Sequence, residues 1–222
     1  MILPRILAAL AAHDIPVRRV VDLGVGTGDL VVELARRGYD VVGVDCSPPM
    51  LAVAKAKAAE LATSPTFILD DIRTLRLEPP ADAAICVYTV VNQLTADDDL
   101  KRAFTAVARS LVPGGRFVFE TNLPASYDRY WSGTETIKAG DAIVVREHRR
   151  VAGSPVIEAL VTIRSRDDGV HDRIQQRPWS DGEVERALAD AGFSPATRET
   201  FNPFEPSGSP MKALWTTQRR RA

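Results

Sequence analysis

The stretch that decides the fold is Val20-Val21-Asp22-Leu23-Gly24-Val25-Gly26-Thr27-Gly28-Asp29-Leu30. An apolar run ends in an acid, a glycine-punctuated turn follows, and a helical apolar pattern then begins. That order predicts a buried parallel strand feeding a tight turn into a helix N-terminus. Gly24, Gly26 and Gly28 can take backbone angles closed to other residues and let a ligand lie against the main chain. A helix starting near Gly28 turns unpaired N–H groups and a partial positive charge toward that ligand. A dinucleotide site wants G-x-G-x-x-G, with the pyrophosphate at the helix end. Here the third glycine comes one residue early, and Asp29, a carboxylate that repels pyrophosphate, stands where that fingerprint has glycine.

Outward from this stretch, strand and helix patterns alternate. A short amphipathic helix, Ile2 to Ala12, precedes the first strand, Arg18 to Leu23. A helix to Arg37 follows, then a nearly continuous apolar strand, Asp40 to Asp45, as expected of a strand buried on both faces. Ser47-Pro48 caps a helix from Met50 to Ala62. Thr66 to Leu69 is a third strand, Asp82 to Tyr88 a fourth, and Asp97 to Leu111 a helix. Pro113-Gly114-Gly115 reads as a turn before a fifth strand, Arg116 to Thr121. Such alternation predicts a parallel sheet with helices on both faces. After Asn122 the pattern changes to alternating extended segments, Ala142 to Arg150, Val156 to Arg166 and Val170 to Arg177, with turn chemistry at Gly153-Ser154-Pro155 and Asp167-Asp168-Gly169. About three antiparallel strands are expected in an insertion spanning Tyr127 to Trp179, within a single domain of residues 1–222. A capping box, Ser180 to Glu183, opens a last helix ending at Gly192. Two strands, Ala196–Phe201 and Met211–Thr217, close the sheet.

The acid ending the second strand, Asp45, lies roughly 20 residues past the glycine turn, where an acid accepts hydrogen bonds from ribose hydroxyls. Cys46 and Met50 follow it and can flank a base. The carboxyl ends of the parallel strands, where ligands bind in such folds, bring Tyr88 and Asn92 into play.

Four motifs in this order resemble the class I S-adenosylmethionine-dependent methyltransferases: the glycine turn, Asp45, Leu69-Asp70-Asp71-Ile72, and Leu111-Val112-Pro113-Gly114-Gly115-Arg116-Phe117-Val118-Phe119-Glu120. The resemblance covers Val20 to Asn122 closely and the helix Ser180–Gly192 more loosely. It implies a Rossmann-like seven-stranded α/β sheet of order 3-2-1-4-5-7-6, mostly parallel with the last strand antiparallel, carrying an antiparallel β insertion after strand five. The implied cofactor is S-adenosyl-L-methionine, leaving S-adenosyl-L-homocysteine. Its binding residues by resemblance are Asp22, Leu23, Gly24, Val25, Gly26, Gly28, Asp45, Cys46, Met50, Asp71, Ile72, Val87 and Tyr88. Asp71 (or Asp70) takes the adenine amine and the Ile72 N–H a ring nitrogen. After strand four the chain is similar to a bacterial small-molecule subgroup with N-Y-L there, related to amino-sugar N-methyltransferases. It keeps Asn92 and Leu94, has Gln93 for the tyrosine, and has Thr89 where that subgroup often has an acid. The Asn-Pro-Pro-Tyr motif of nucleic-acid and protein-glutamine enzymes is absent. Family members usually carry a further N-terminal helix over the donor, for which the residues before the glycine strand leave little length.

The implied reaction moves a methyl group to N, O or C of a small molecule. Candidate acceptor-side residues are Asn92, Glu120, Asn122, Tyr130, Trp131, His148 and Trp179, with Tyr127 a further aromatic flanking the insertion. Should the acceptor need to lose a proton, His148, Glu120 and Tyr130 are candidate bases; His148 and Tyr88 are the catalytic candidates carried forward. The alternatives are a nicotinamide dehydrogenase and a nucleoside-binding protein without turnover.

The 222 residues carry 45% hydrophobic and 26% charged side chains and a formal net charge of −1. This balance does not attract nucleic acid or an anionic membrane. Arg219-Arg220-Arg221 reads as a solvated tail. The two cysteines, Cys46 and Cys86, make neither a disulfide framework nor a metal cluster, so no metal is expected and the compartment expected is the cytoplasm. Either a monomer or a homodimer is compatible with these features.

Overall fold

The computed structural model describes residues 2–164 and 169–221. The turn expected at Asp167-Asp168 lies outside the described residues. Helix α1 (Leu3–Ala11) leads into β1 (Arg19–Leu23), α2 (Asp29–Arg36), β2 (Asp40–Asp45), α3 (Pro48–Ala58), β3 (Thr66–Leu69), β4 (Ala81–Cys86), α4 (Asp99–Arg109) and β5 (Leu111–Asn122). A second group follows: α5 (Pro124–Tyr130), β6 (Gly133–Ala139), β7 (Ala142–Arg150), β8 (Ile157–Arg164) and β9 (Gly169–Gln176). The chain then returns through α6 (Asp181–Asp190), β10 (Thr197–Phe201) and β11 (Lys212–Gln218).

One seven-stranded sheet has the order β10-β11-β5-β4-β1-β2-β3. Strands β1 to β5 are parallel, while β11 runs antiparallel between β5 and β10. This is the expected order 3-2-1-4-5-7-6, with the last strand antiparallel. Its side chains alternate between two cores, as period-two geometry requires. Val20, Val41, Ile85, Val118 and Leu214 pack under α1, α2 and α3. Val21, Val42, Phe117, Phe119 and Trp215 pack under α4 and α6. On that second face Phe119 stacks with Phe117 at 4.6 Å and with Trp215 at 5.9 Å, and Phe104 meets Phe117 edge-on at 5.5 Å. The indole N–H of Trp215 donates to Thr121 Oγ1 at 2.9 Å, so burying the ring leaves no donor unpaired.

Several boundaries differ from the sequence expectation. Strand β4 stops at Cys86, because Tyr88 and Thr89 adopt left-handed backbone angles that no strand continues through. Pro113-Gly114-Gly115 belongs to β5: the pairing with β4 shifts register there, a bulge rather than a turn between elements. Arg219 and Arg220 are docked rather than a free tail: the Arg219 N–H bonds the Gly115 carbonyl at 2.8 Å and its guanidinium the Leu111 carbonyl, and the Arg220 N–H bonds the Gly192 carbonyl at 3.0 Å. The insertion has four strands in the order β6-β7-β8-β9, one more than expected, preceded by α5. The strand missed from sequence, Gly-Thr-Glu-Thr-Ile-Lys-Ala, is too polar to announce itself and is held by its antiparallel pairing with β7. The capping box at Ser180 and Glu183 forms as expected.

The insertion is fastened to the carboxyl edge of the main sheet by buried amides. Gln176 Oε1 accepts from Asn122 Nδ2 at 3.1 Å and from the Tyr127 hydroxyl at 2.8 Å. Asn92, fully buried, donates through Nδ2 to the Arg177 carbonyl at 2.9 Å and accepts the Asn122 N–H at 2.8 Å. Trp179 donates its indole N–H to the Leu94 carbonyl at 3.1 Å, with the Arg177 guanidinium 3.8 Å over its ring. Replacing Asn92 with alanine leaves the Asn122 N–H and the Arg177 carbonyl without partners. Each unsatisfied group costs about 1–3 kcal/mol. Urea denaturation of Asn92→Ala is therefore expected to show a loss of roughly 2–5 kcal/mol; an unchanged midpoint would contradict this bridging role.

Candidate functional site

The exits of β1, β2, β3 and β4 converge on a cavity of about 720 Å³. The first wall is the glycine loop after β1. The N–H groups of Gly24 and Val25 bond the Val44 carbonyl at 2.8 and 3.0 Å, laying the loop over β2. Gly24 has φ +73°, and a Cβ there would stand 2.3 Å from Val90 Cγ2. Gly28, at φ +85°, is pressed on Ala54 in the same way, at 2.8 Å. The second wall is Asp45, whose carboxylate accepts the Gly26 N–H at 2.8 Å and the Ser47 N–H at 2.9 Å. Asp45 thus ties the glycine loop to the start of α3, and each oxygen keeps a lone pair for a further donor. Cys46 and Met50 line the same side.

Asp29 also lines the cavity, paired with Lys57 Nζ at 2.8 Å. That hydrogen bond holds its carboxyl below the usual range. Lys57 therefore blunts the repulsion of a pyrophosphate expected from Asp29, and the argument against a dinucleotide rests on the glycine spacing.

At the end of β3, Asp70, Asp71 and Ile72 line the cavity. The Asp71 carboxylate is clasped by Arg73, Nε to Oδ1 at 2.9 Å and Nη2 to Oδ2 at 2.6 Å, which lowers its pKa. Arg73 reaches on to buried Asp99 at 3.0 Å, and Asp99 accepts the N–H groups of Thr95 and Ala96. Arg73 is a site residue that sequence reasoning missed. Its only signal is a cation two places after the acid.

Asp22 reaches the cavity from β1, buried and with no hydrogen bond to its carboxyl among the described residues. Burial, and then the charge of Asp45, raise its pKa to about 7. Leu23, Gly28 and Val87 do not line the cavity; Leu23 and Val87 are buried behind it.

The exit of β4 holds the strained part of the site. Tyr88 (φ +59°) and Thr89 (φ +70°) are the two non-glycine residues with positive φ among those described. Each such conformation costs on the order of 1–3 kcal/mol. Tyr88 is 61% exposed and stands at the cavity wall. Burial of its hydroxyl, then the charges of Glu120 and Asp22, raise its pKa, so it remains a phenol at neutral pH. Glu120, 2% exposed, accepts the Thr89 N–H at 3.1 Å and pairs with Lys212.

The remaining acceptor-side candidates lie apart from this cavity. Asn92, Asn122 and Trp179 are engaged in the fastening already described. Trp131 sits between Tyr127, at 5.5 Å, and His148, at 5.1 Å. The His148 pKa is lowered chiefly by burial, and its Nδ1 has no hydrogen-bond partner among the described residues. Tyr130 is half-exposed under the Arg129 guanidinium. No group of three or more His, Cys, Asp or Glu side chains that could hold a metal is found among the described residues. No helix among them is long and apolar enough to cross a membrane.

Residues 20–115 match the model of a family described as a methyltransferase domain. A demethylmenaquinone methyltransferase of Thermus thermophilus is 38% identical over 111 residues, 49% of this chain and 49% of that protein. The chain thus matches about half the length of that relative. Over nearly the whole chain the fold is that of an S-adenosylmethionine-dependent methyltransferase from Clostridium acetobutylicum, with TM-score 0.85, 18% identity, and 99% and 89% of the two chains covered. It is also that of CalS10, an amino pentose methyltransferase from Micromonospora echinaspora solved with S-adenosylmethionine bound, with TM-score 0.72, 23% identity, and 98% and 88% of the two chains covered. The chain thus has the fold of the S-adenosylmethionine-dependent methyltransferases, with residues 20–115 similar in sequence to a methyltransferase domain and the remaining strands completing the sheet.

Two outcomes follow from this geometry. Asp45→Ala removes the anchor of Gly26 and an acceptor for ribose hydroxyls, bonds worth about 1.5–3 kcal/mol. Calorimetry on the folded variant is expected to show S-adenosylhomocysteine binding weakened by roughly ten- to a hundredfold; unchanged affinity removes Asp45 from the site. Asp22, with a folded pKa near 7 against an unfolded value near 3.8, binds a proton in the native state that the unfolded chain has released. Its contribution to stability is full below the unfolded value and is lost as pH rises through about 7. Between pH 5 and 8 the wild type should lose stability relative to Asp22→Asn, by up to a few kcal/mol in urea denaturation. Parallel profiles for the two proteins contradict a raised Asp22 pKa.

Proposed function

We propose that the protein transfers a methyl group from S-adenosylmethionine to N, O or C of a small-molecule acceptor. The observation that carries this reading is the convergence of the glycine loop, Asp45, the Asp71–Arg73 pair and Tyr88 on one cavity of nucleoside size. The residues fit the group: Gly26, at φ +53° with open space where a Cβ would stand, leaves the cavity side of the glycine loop clear, and Asp22 offers a buried carboxyl with no hydrogen-bond partner among the described residues.

When bound, S-adenosylmethionine supplies a methyl group on a positively charged sulfur, open to direct attack by a nucleophile. The chain's part is then to hold and align. Asp45 accepts from the ribose hydroxyls while keeping Gly26 in place. Asp71, fixed by Arg73, accepts from the adenine amine, and the Ile72 N–H faces a ring nitrogen. Asp22, near its pKa at neutral pH, faces the cationic end of the donor. Tyr88 stands at the β4 exit, on the side from which an acceptor approaches. Alignment at near-contact distance can supply up to about 7–11 kcal/mol of rate acceleration, so no dedicated base is required.

The insertion is read as the acceptor-side wall. In support, Tyr127, Trp131 and His148 form a contiguous ring series rooted by Gln176 on Asn122, at the carboxyl end of β5. An acceptor akin to an amino sugar is favoured by the kept Asn92 and Leu94 and by the likeness in fold to the amino pentose enzyme. A nucleoside-binding protein without turnover is the second reading, favoured by the fact that no insertion residue lines the donor cavity.

The test is differential stabilisation. At a hundredfold excess over Kd a ligand adds about 2.7 kcal/mol, which for this chain length raises Tm by roughly 5–10 °C. S-adenosylhomocysteine should do so and NAD should not. Stabilisation by NAD alone would overturn the reading.

A further inference from the structure

The Tyr88–Thr89 turn is strained, yet it carries two residues of the cavity wall, Tyr88 and Val90. Val90 is packed so closely on Gly24 that no Cβ fits between them. The turn is therefore keyed into the glycine loop, and its backbone angles decide where that loop lies. Thr89 is β-branched, a type that strongly resists positive φ. Something must hold it there. Its N–H donates to Glu120 Oε1 at 3.1 Å, and the same oxygen takes the Lys212 ammonium. Its carbonyl accepts the Asn92 N–H at 3.0 Å. Glu120 is 2% exposed and the Lys212 side chain 14%, so the pair is withdrawn from water at the joint of β5 and β11. A buried carboxylate of this kind needs its counter-charge, and it gives a charge-assisted, stronger hydrogen bond to the one backbone N–H it receives.

We propose that the Glu120–Lys212 pair is a positioning device for the donor site: through the Thr89 N–H it holds the left-handed turn that sets Tyr88 at the cavity wall and Val90 on Gly24. The proposal rests on the reading of the cavity as a methyl-donor site. It makes Glu120 a positioning residue, not a base and not an acceptor contact. Lys212 is the first residue of β11, and nothing in the sequence pattern singles it out. Residues nearly a hundred positions apart are joined here because β11 inserts antiparallel beside β5, which puts Lys212 opposite Asn122 and Leu214 opposite Glu120.

The test uses the double variant Glu120→Met/Lys212→Met, which removes the acceptor and its counter-charge together and leaves no lone buried charge. Calorimetry with S-adenosylhomocysteine is expected to show about tenfold weaker binding, roughly 1.4 kcal/mol. Adding Thr89→Gly should bring affinity back to within about threefold of wild type, because glycine takes the same angles without a clamp. A purely structural ion pair predicts no such rescue. Unchanged affinity in the double variant, or no recovery with glycine, overturns the proposal while leaving the donor reading intact. A wild-type protein that binds no S-adenosylhomocysteine overturns both. Should the double variant not fold, amide exchange on the wild type decides: the Thr89 N–H is expected to be protected, and exchange at the rate of an unstructured chain would overturn the clamp.

Discussion

The contact on which the rest depends is that of Val90 with Gly24. Strand order reverses between β1 and β4, so the loops leaving these two strands diverge and open a crevice at the carboxyl edge. They must nevertheless touch at its base. With 2.3 Å between a hypothetical Gly24 Cβ and Val90, only glycine lets them close. On one side of that contact the loop is held to β2 by Val44 and Asp45. On the other the β4 exit is held in a strained turn by Glu120. The cavity is what remains between two loops that are each pinned from outside.

Its chemistry follows from which polar groups are already engaged and which are open. Asp71 and Asp99 are clasped through Arg73, Asp29 through Lys57, and Glu120 through Lys212. Asp22 alone among these acids has neither a cation nor a hydrogen bond among the described residues, and burial raises its pKa to about 7. A cationic ligand would complete that environment, whereas a pyrophosphate would worsen it. The insertion side differs in kind. There the amides of Asn92, Asn122 and Gln176 satisfy one another and fasten the insertion to the sheet.

Much of this was legible in the sequence because it rests on local pattern. The glycine loop, Asp45, the alternating strands and the Ser180–Glu183 cap each need only residues near in the chain. What was not legible depends on partners far apart. Nothing in Tyr88-Thr89 suggests left-handed backbone, since the groups that enforce it are Glu120 and Lys212. Asn92 and Trp179 have the residue types of a binding site, and only the fold shows their hydrogen-bonding groups engaged with Arg177, Asn122 and Leu94. The polar strand Gly133–Ala139 exists through its pairing with β7, a term that no single-segment pattern contains.

The most direct measurement is a crystal structure of the protein with S-adenosylhomocysteine. The account predicts the ribose hydroxyls on Asp45, the adenine between Asp71 and Cys46, and the sulfur at the β4 exit beside Tyr88, with Val90 still seated on Gly24. A nucleoside bound outside this cavity, or bound within it without contact to Asp45, would contradict it.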